Sequence, residues 1–169
     1  MKAQGKRGIA RPDLSRIARV AHQAELRMIH LQRLRAELSA APEARGEHSN
    51  AYSIRSTVEH TLREAGRLEV RASFRVALRI EATKEEWGTI APTFRILYDL
   101  PAGAEVSEDE VKAFAEVNGV YNAWPYLREL VQEMTARMGV PALTIHLYKV
   151  QPRLPDPPEG AEDTSPEES

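Results

Sequence analysis

Arg67-Leu-Glu-Val-Arg-Ala-Ser-Phe-Arg-Val-Ala-Leu-Arg-Ile-Glu-Ala82 is apolar at every even position: Leu68, Val70, Ala72, Phe74, Val76, Leu78, Ile80 and Ala82. Its odd positions are mostly charged, with Arg67, Glu69, Arg71, Arg75, Arg79 and Glu81. Successive side chains of a strand point to opposite faces, so this alternation predicts one long strand with a dry face and a wet face. Such a strand suits an antiparallel sheet, because parallel sheets are usually covered on both sides. Upstream, Tyr52, Ile54, Val58 and Leu62 share one parity, and Glu64-Ala-Gly66 supplies a short turn, which together predict a hairpin. Downstream, Lys84-Glu-Glu-Trp-Gly88 is read as the next turn, and Ile90, Phe94, Ile96, Tyr98 and Leu100 as a further strand. Pro92 has no N–H to donate, which predicts an edge strand or a bulge there.

Residues 107–138 read as helix. Ser107 with Glu110 is a capping-box pair, and Glu108 and Asp109 suit the positive end of the helix dipole. Val111, Phe114, Ala115, Val117 and Tyr121 form one stripe, and Trp124, Leu127, Leu130, Val131, Met134 and Met138 the next. Gly139 and Pro141 are stop signals. Pro125 lies inside and predicts a kink or break about one turn before it. Leu143, Ile145, Leu147 and Val150 predict a short extended segment. Residues 14–38 carry two patterns. Ile17, Val20, Ala21, Ala24, Met28, Leu31 and Leu38 fit a helical stripe, while Leu34, Ala36 and Leu38 alternate. Pattern alone favours one long helix.

The chain has 169 residues, 23 basic against 25 acidic side chains, and no cysteine. That length suffices for one domain with a single core. Without cysteine there is no disulfide framework, thiolate nucleophile or Cys-ligated metal site, and a reducing cytoplasm is expected. No apolar run approaches the roughly 18–20 residues of a spanning helix, and the basic N-terminus lacks a signal-peptide apolar region, so no membrane insertion is expected. The charge is uneven. Residues 1–45 hold ten basic and four acidic side chains, while residues 151–169 hold Arg153 against Asp156, Glu159, Glu162, Asp163, Glu167 and Glu168. The Pro-, Glu- and Ser-rich end predicts an acidic disordered tail.

Catalytic and cofactor signals are missing. His22, His30, His48, His60 and His146 form no helical metal-binding pair, and there is no phosphate-cradling glycine loop or nucleophile elbow. The expectation is a non-enzyme with no metal and no cofactor. Trp124, Tyr126 and Tyr121 cluster at the helix break, with Trp87 in a turn. They read either as core or as an apolar groove that accepts other chains.

The run Trp124-Pro-Tyr-Leu-Arg-Glu129 inside a helix resembles the SecB family of protein-export chaperones, and the likeness continues through Met134-Thr-Ala-Arg-Met-Gly-Val-Pro-Ala-Leu143. The strands at 74–80 and 94–100 stand where that family has its third and fourth, so the likeness covers about residues 25–150. It implies an α+β fold, a four-stranded antiparallel sheet followed by a long broken helix. It implies that Leu26–Leu38 is the first strand, preceded by a short helix around Leu14–Ala24, against the pattern reading. The division is then a basic arm (1–24), a chaperone domain (25–150) and the tail (151–169).

The resemblance further implies an ATP-independent cytoplasmic homotetramer, a dimer of dimers, that holds unfolded or nascent polypeptides in apolar grooves for protein export and translocation. The groove candidates chosen by their chemistry are Tyr52, Ile54, Tyr121, Trp124 and Tyr126. For the subunit interface they are Arg128, Glu129, Leu127, Leu130 and Met134, with a solvated helix face as the alternative for Arg128 and Glu129. Family members usually carry a second helix after the Pro-x-Leu segment, whereas here Tyr148-Lys-Val150 runs straight into the Pro-rich tail. The stretches matching its acidic docking positions for the motor SecA read Leu31-Gln-Arg-Leu-Arg-Ala36 and Phe94-Arg-Ile-Leu97, neutral or basic. Some SecB-like proteins serve instead as chaperones of an antitoxin in toxin–antitoxin systems, which stands as the alternative. The rival from another class is a nucleic-acid-binding module using the basic arm.

Overall fold

The computed structural model describes residues 14–39, 50–81 and 83–149. The acidic tail, most of the basic arm and Ala82 lie outside the described residues. A short helix, α1 (Leu14–Ala21), leads into β1 (Glu25–Leu38). Three strands follow as a meander, β2 (Asn50–Arg63), β3 (Arg67–Ile80) and β4 (Glu86–Asp99), and then the long helix α2 (Glu108–Arg137). The four strands form one antiparallel sheet in the order β1-β4-β3-β2, so β1 and β2 are its edges.

The alternation in β3 does what its period requires. Leu68, Val70, Ala72, Phe74, Val76 and Leu78 are buried beneath α2. Cross-strand partners share a face, so Ile96, Phe94 and Ile90 of β4 join them from one side and Ile54 and Val58 of β2 from the other. The β2–β3 turn runs through Ala65 and Gly66, both at positive φ. A Cβ on Gly66 would stand 2.4 Å from the carbonyl oxygen of Leu100, whose N–H donates back to Gly66 at 2.8 Å. Glycine is the residue that tolerates both demands.

Four expectations are corrected. Residues 14–38 are not one helix: α1 stops at Ala21 and the chain is a strand from Glu25 onward. Pro92 is not on an edge, because β4 lies between β1 and β3. The bulge alternative is the one that holds: β1 carries a bulge at Gln32, opposite Phe94 and Thr93, while the β3–β4 pairs at Pro92 and Ala91 drop out of an otherwise unshifted register. The turn after β3 ends before Glu86, which already pairs with Arg79, so Trp87 and Gly88 belong to β4. Finally, α2 does not break at Pro125 but continues as one helix from Glu108 to Arg137. The proline ring is exposed, and the lost bond is one i→i−4 link to the Tyr121 carbonyl within a helix held by packing along its whole length.

The ends of α2 follow their signals. Glu110 N–H donates to Ser107 Oγ at 3.3 Å, and Ser107 N–H to Glu110 Oε2 at 2.9 Å. Arg19 of α1 adds an ion pair to Glu110 at 3.1 Å, which ties α1 to the helix it packs on. At the other end Gly139 has φ +73°, and Val140 N–H reaches the Thr135 carbonyl. Rings set the packing of helix on sheet: Phe114 meets Tyr98 edge-on at 5.1 Å, and Trp124 meets Phe74 at 6.1 Å. The Tyr98 hydroxyl accepts from Asn122 Nδ2 at 2.8 Å, and burial pushes its pKa up to about 12.

Candidate functional site

α2 packs over β2, β3 and β4. The helix-facing side of β1 is left partly uncovered, and Leu26, Leu31 and Leu34 remain 38–45% exposed. A cleft of about 410 Å³ opens there, lined on the sheet by Leu26 and Ile29 and on the helix by Tyr121, Trp124, Pro125 and Tyr126. Leu147, 69% exposed, closes one side. A second hollow of about 180 Å³ continues past the shared Ile29 and Tyr126 to Leu31, Phe94 and Leu130. Glu129 and Glu133 stand at that end, Glu133 paired with Arg137 at 2.7 Å. The wall is aromatic and aliphatic and the acids sit at the rim, an arrangement that takes apolar side chains of varied shape.

After α2 the chain turns back along the helix, without regular secondary structure, through residues 141–149. Leu143 N–H donates to Thr135 Oγ1 at 2.9 Å, Arg128 Nε to the Ile145 carbonyl at 2.9 Å, and Trp124 Nε1 to the His146 carbonyl at 2.7 Å. His146 N–H donates to the Tyr52 hydroxyl at 3.1 Å. Ile145 is fully buried, which anchors the segment and presents Leu147 and Tyr148 to the cleft.

Of the groove candidates, Tyr121, Trp124 and Tyr126 come together in this cleft. Tyr121 and Tyr126 are about half exposed, while Trp124 is partly covered by Tyr148 at 5.1 Å between ring centres. Tyr52 and Ile54 line neither hollow. Tyr52 holds the return segment, and Ile54 packs on the core. The residues proposed for subunit contact are divided. Leu127 is fully buried in its own core, Arg128 binds its own chain at Ile145, Met134 is half-buried, and Leu130 and Glu129 border the second hollow. Sequence reasoning missed Leu26, Ile29 and Leu147 as lining residues. Leu26 belongs to the first strand that the resemblance implied, and Ile29 continues its face, so that assignment was the signal available.

The opposite face of the sheet is polar. Near the β2–β3 turn it carries Glu69, only 4% exposed, which accepts from Arg95 at 2.8 Å and pairs with Arg71 at 3.0 Å and Arg63 at 3.5 Å. The Arg95 hydrogen bond, aided by Arg71 and opposed by burial, holds its carboxyl below the usual carboxylate range. Arg75 and Glu86 pair farther along this face, and the bond from Arg75 also draws the Glu86 carboxyl down. Among the described residues no cluster of His, Asp and Glu could hold a metal ion, and no helix is long and apolar enough to cross a membrane.

No protein-family model matches the chain. The SecB-like chaperone Rv1957 of Mycobacterium tuberculosis (strain ATCC 25618 / H37Rv) is 28% identical over 151 residues, covering 80% of this chain and 83% of the relative. The SecB-like chaperone MT2006 of the CDC 1551 / Oshkosh strain matches to the same extent. Among solved structures, the Mycobacterium tuberculosis Rv1957 SecB-like chaperone in complex with a ChAD peptide from the Rv1956 HigA1 antitoxin superposes with a TM-score of 0.67 at 26% identity. The match covers 80% of this chain and 97% of that one. The resemblance to SecB-like chaperones thus extends from the helix motif to the sheet and helix together. These relatives are named as chaperones and not as enzymes.

Proposed function

We propose that this chain is an ATP-independent chaperone that keeps a labile polypeptide soluble in the cleft between β1 and α2, and that its client is the antitoxin of a toxin–antitoxin pair. One observation carries the reading: an open aromatic cleft on a chain similar to a SecB-like chaperone that was solved with an antitoxin peptide. Burying client side chains there is worth about 25 cal/mol per Å² of apolar area, without regard to sequence. Aromatic walls supply that area at low entropic cost.

Protein export was the first expectation, and the antitoxin reading is better supported. The positions matching the acidic SecA-docking strands carry Arg33, Arg35 and Arg95 here, and the three arginines share the outer face of the sheet. SecA therefore drops behind the antitoxin as a partner. The assembly we propose is the homotetramer implied by the resemblance, working in the cytoplasm, with several clefts adding avidity along one client.

The test is co-expression. An antitoxin encoded beside this gene should be protected from proteolysis by the chain, and a double variant Leu26→Asp/Tyr126→Asp should lose that protection. Removing two apolar contacts of about 1.5–3 kcal/mol each predicts at least a tenfold weaker client affinity. Protection of secreted precursors but not of the antitoxin would favour the export reading instead.

A further inference from the structure

The face of the sheet turned away from α2 is rich in arginine. Cross-strand register places nine arginines on that face, at 33, 35, 55, 63, 67, 71, 75, 79 and 95. Six carboxylates accompany them, Glu25, Glu37, Glu59, Glu69, Glu86 and Asp99. The surplus is positive, and the face dips where all four strands contribute side chains. There a hollow of about 440 Å³ is lined by Gln32, Arg33, Glu59, Arg71, Ser73 and Thr93. Ser73 Oγ and Thr93 Oγ1 are 3.0 Å apart at its floor, and Arg33 reaches Thr93 Oγ1 at 3.4 Å. Arg33 and Arg55 have no ion-pair partner among the described residues, and Arg55 faces another arginine, Arg75, directly across the ladder.

We propose that this arginine face docks the acidic C-terminal segment of the same chain, residues 156–168. That segment carries Asp156, Glu159, Glu162, Asp163, Glu167 and Glu168 and no basic residue. Charge selects the surface: the other face offers an apolar cleft with acids at its rim, which repels such a segment, whereas the outer face carries nine arginines against six carboxylates and leaves Arg33 and Arg55 outside any ion pair among the described residues. Reach agrees. The described chain ends at Lys149, just after Leu147 and Tyr148 line the cleft beside the edge strand β1. The seven residues from Lys149 to Asp156 span up to roughly 23–25 Å, and passing around one edge strand takes about 10 Å. Thirteen extended residues then cover about 43–47 Å, close to the length of a 14-residue strand. Because the segment is tethered, its local concentration is in the millimolar range, so a few exposed charge pairs suffice. The cleft on the opposite face stays free for client.

Because the chain has no cysteine, Ser165→Cys gives a single attachment point for a benzophenone cross-linker in the full-length protein. At about 50 mM salt, irradiation should place adducts on β1, β2 and β3 around Arg33, Arg55 and Arg71. The yield should fall severalfold at about 500 mM salt, where screening shortens the reach of charge. It should fall equally in Arg33→Glu/Arg55→Glu, whose exposed side chains leave the fold intact by circular dichroism. A mixture of isotopically heavy and light chains should give adducts within one isotope. Adducts on the cleft, adducts between chains, or yields indifferent to salt and charge reversal would overturn the assignment. So would a single-stranded oligonucleotide binding the arginine face without displacing the segment, which would make that face a nucleic-acid surface.

Discussion

Glu69 shows how one side chain departs from the pattern it belongs to. Its parity puts it on the wet face of β3, yet it is among the most buried charged groups described. Three arginines from β2, β3 and β4 close over it. Its pKa in the fold lies below the ordinary carboxylate value, so the folded chain binds that proton more weakly than the unfolded one. The stability it supplies is therefore present above the unfolded value of about 4.3 and is lost progressively as the pH falls from there through the folded value. We expect Glu69→Gln to cost about 1–3 kcal/mol at neutral pH and to flatten the acid decline of the melting temperature below about pH 5. An unchanged acid slope would place the pH sensitivity elsewhere. At the cleft, Tyr121, Trp124 and Tyr126 were readable as a cluster because they sit within six residues on one helix. Tyr52 and Ile54 illustrate the limit: parity tells which face of a sheet a residue occupies, not which part of that face a helix will cover.

The strands separate into those legible in the sequence and one that was not. β3 keeps period two without interruption, and its reading held over Arg67–Ile80. β1 faces α2 with Leu26, Ile29, Leu31, Leu34, Ala36 and Leu38, and two bulges, at Arg27 and Gln32, each insert one residue between inward positions. The spacing becomes three, two, three, two, two, and the threes imitate a helical stripe. A bulge thus hides a strand from any test of period, and the correct reading came through the resemblance. In α2, Gly119 lets the helix lie close on the sheet: an added Cβ would stand 2.8 Å from Val70 Cγ1 and 3.5 Å from Val58 Cγ1. Val70 is fully buried and cannot swing away. Alanine gains up to about 1 kcal/mol of helix propensity over glycine, but overpacking typically costs about 1–3 kcal/mol. We expect Gly119→Ala to lower stability by about 1 kcal/mol in denaturant titration, and a rise would mean that helix and sheet have room to separate. Ser107→Ala, which removes the cap of α2, should cost about 1 kcal/mol by the same measure.

The molecule divides its surface by chemistry. One face of the sheet, under α2 and beside β1, gives an apolar cleft; the other gives an arginine field around a buried carboxylate. Leu26, Leu31 and Leu34 on edge strand β1 form an exposed apolar row beside the cleft, the kind of surface that oligomerisation covers. If the proposed tetramer forms, light scattering should give about 76 kDa from chains of 19.0 kDa, and a mass of one chain would contradict that assembly. An unfolded polypeptide diluted from denaturant in the presence of this protein should stay in solution at stoichiometric ratio, read as suppressed turbidity. The folded variant Leu26→Asp/Tyr126→Asp should let it aggregate. Equal protection by the variant, or none by the natural chain, would contradict the assignment of the cleft as the place where clients are held.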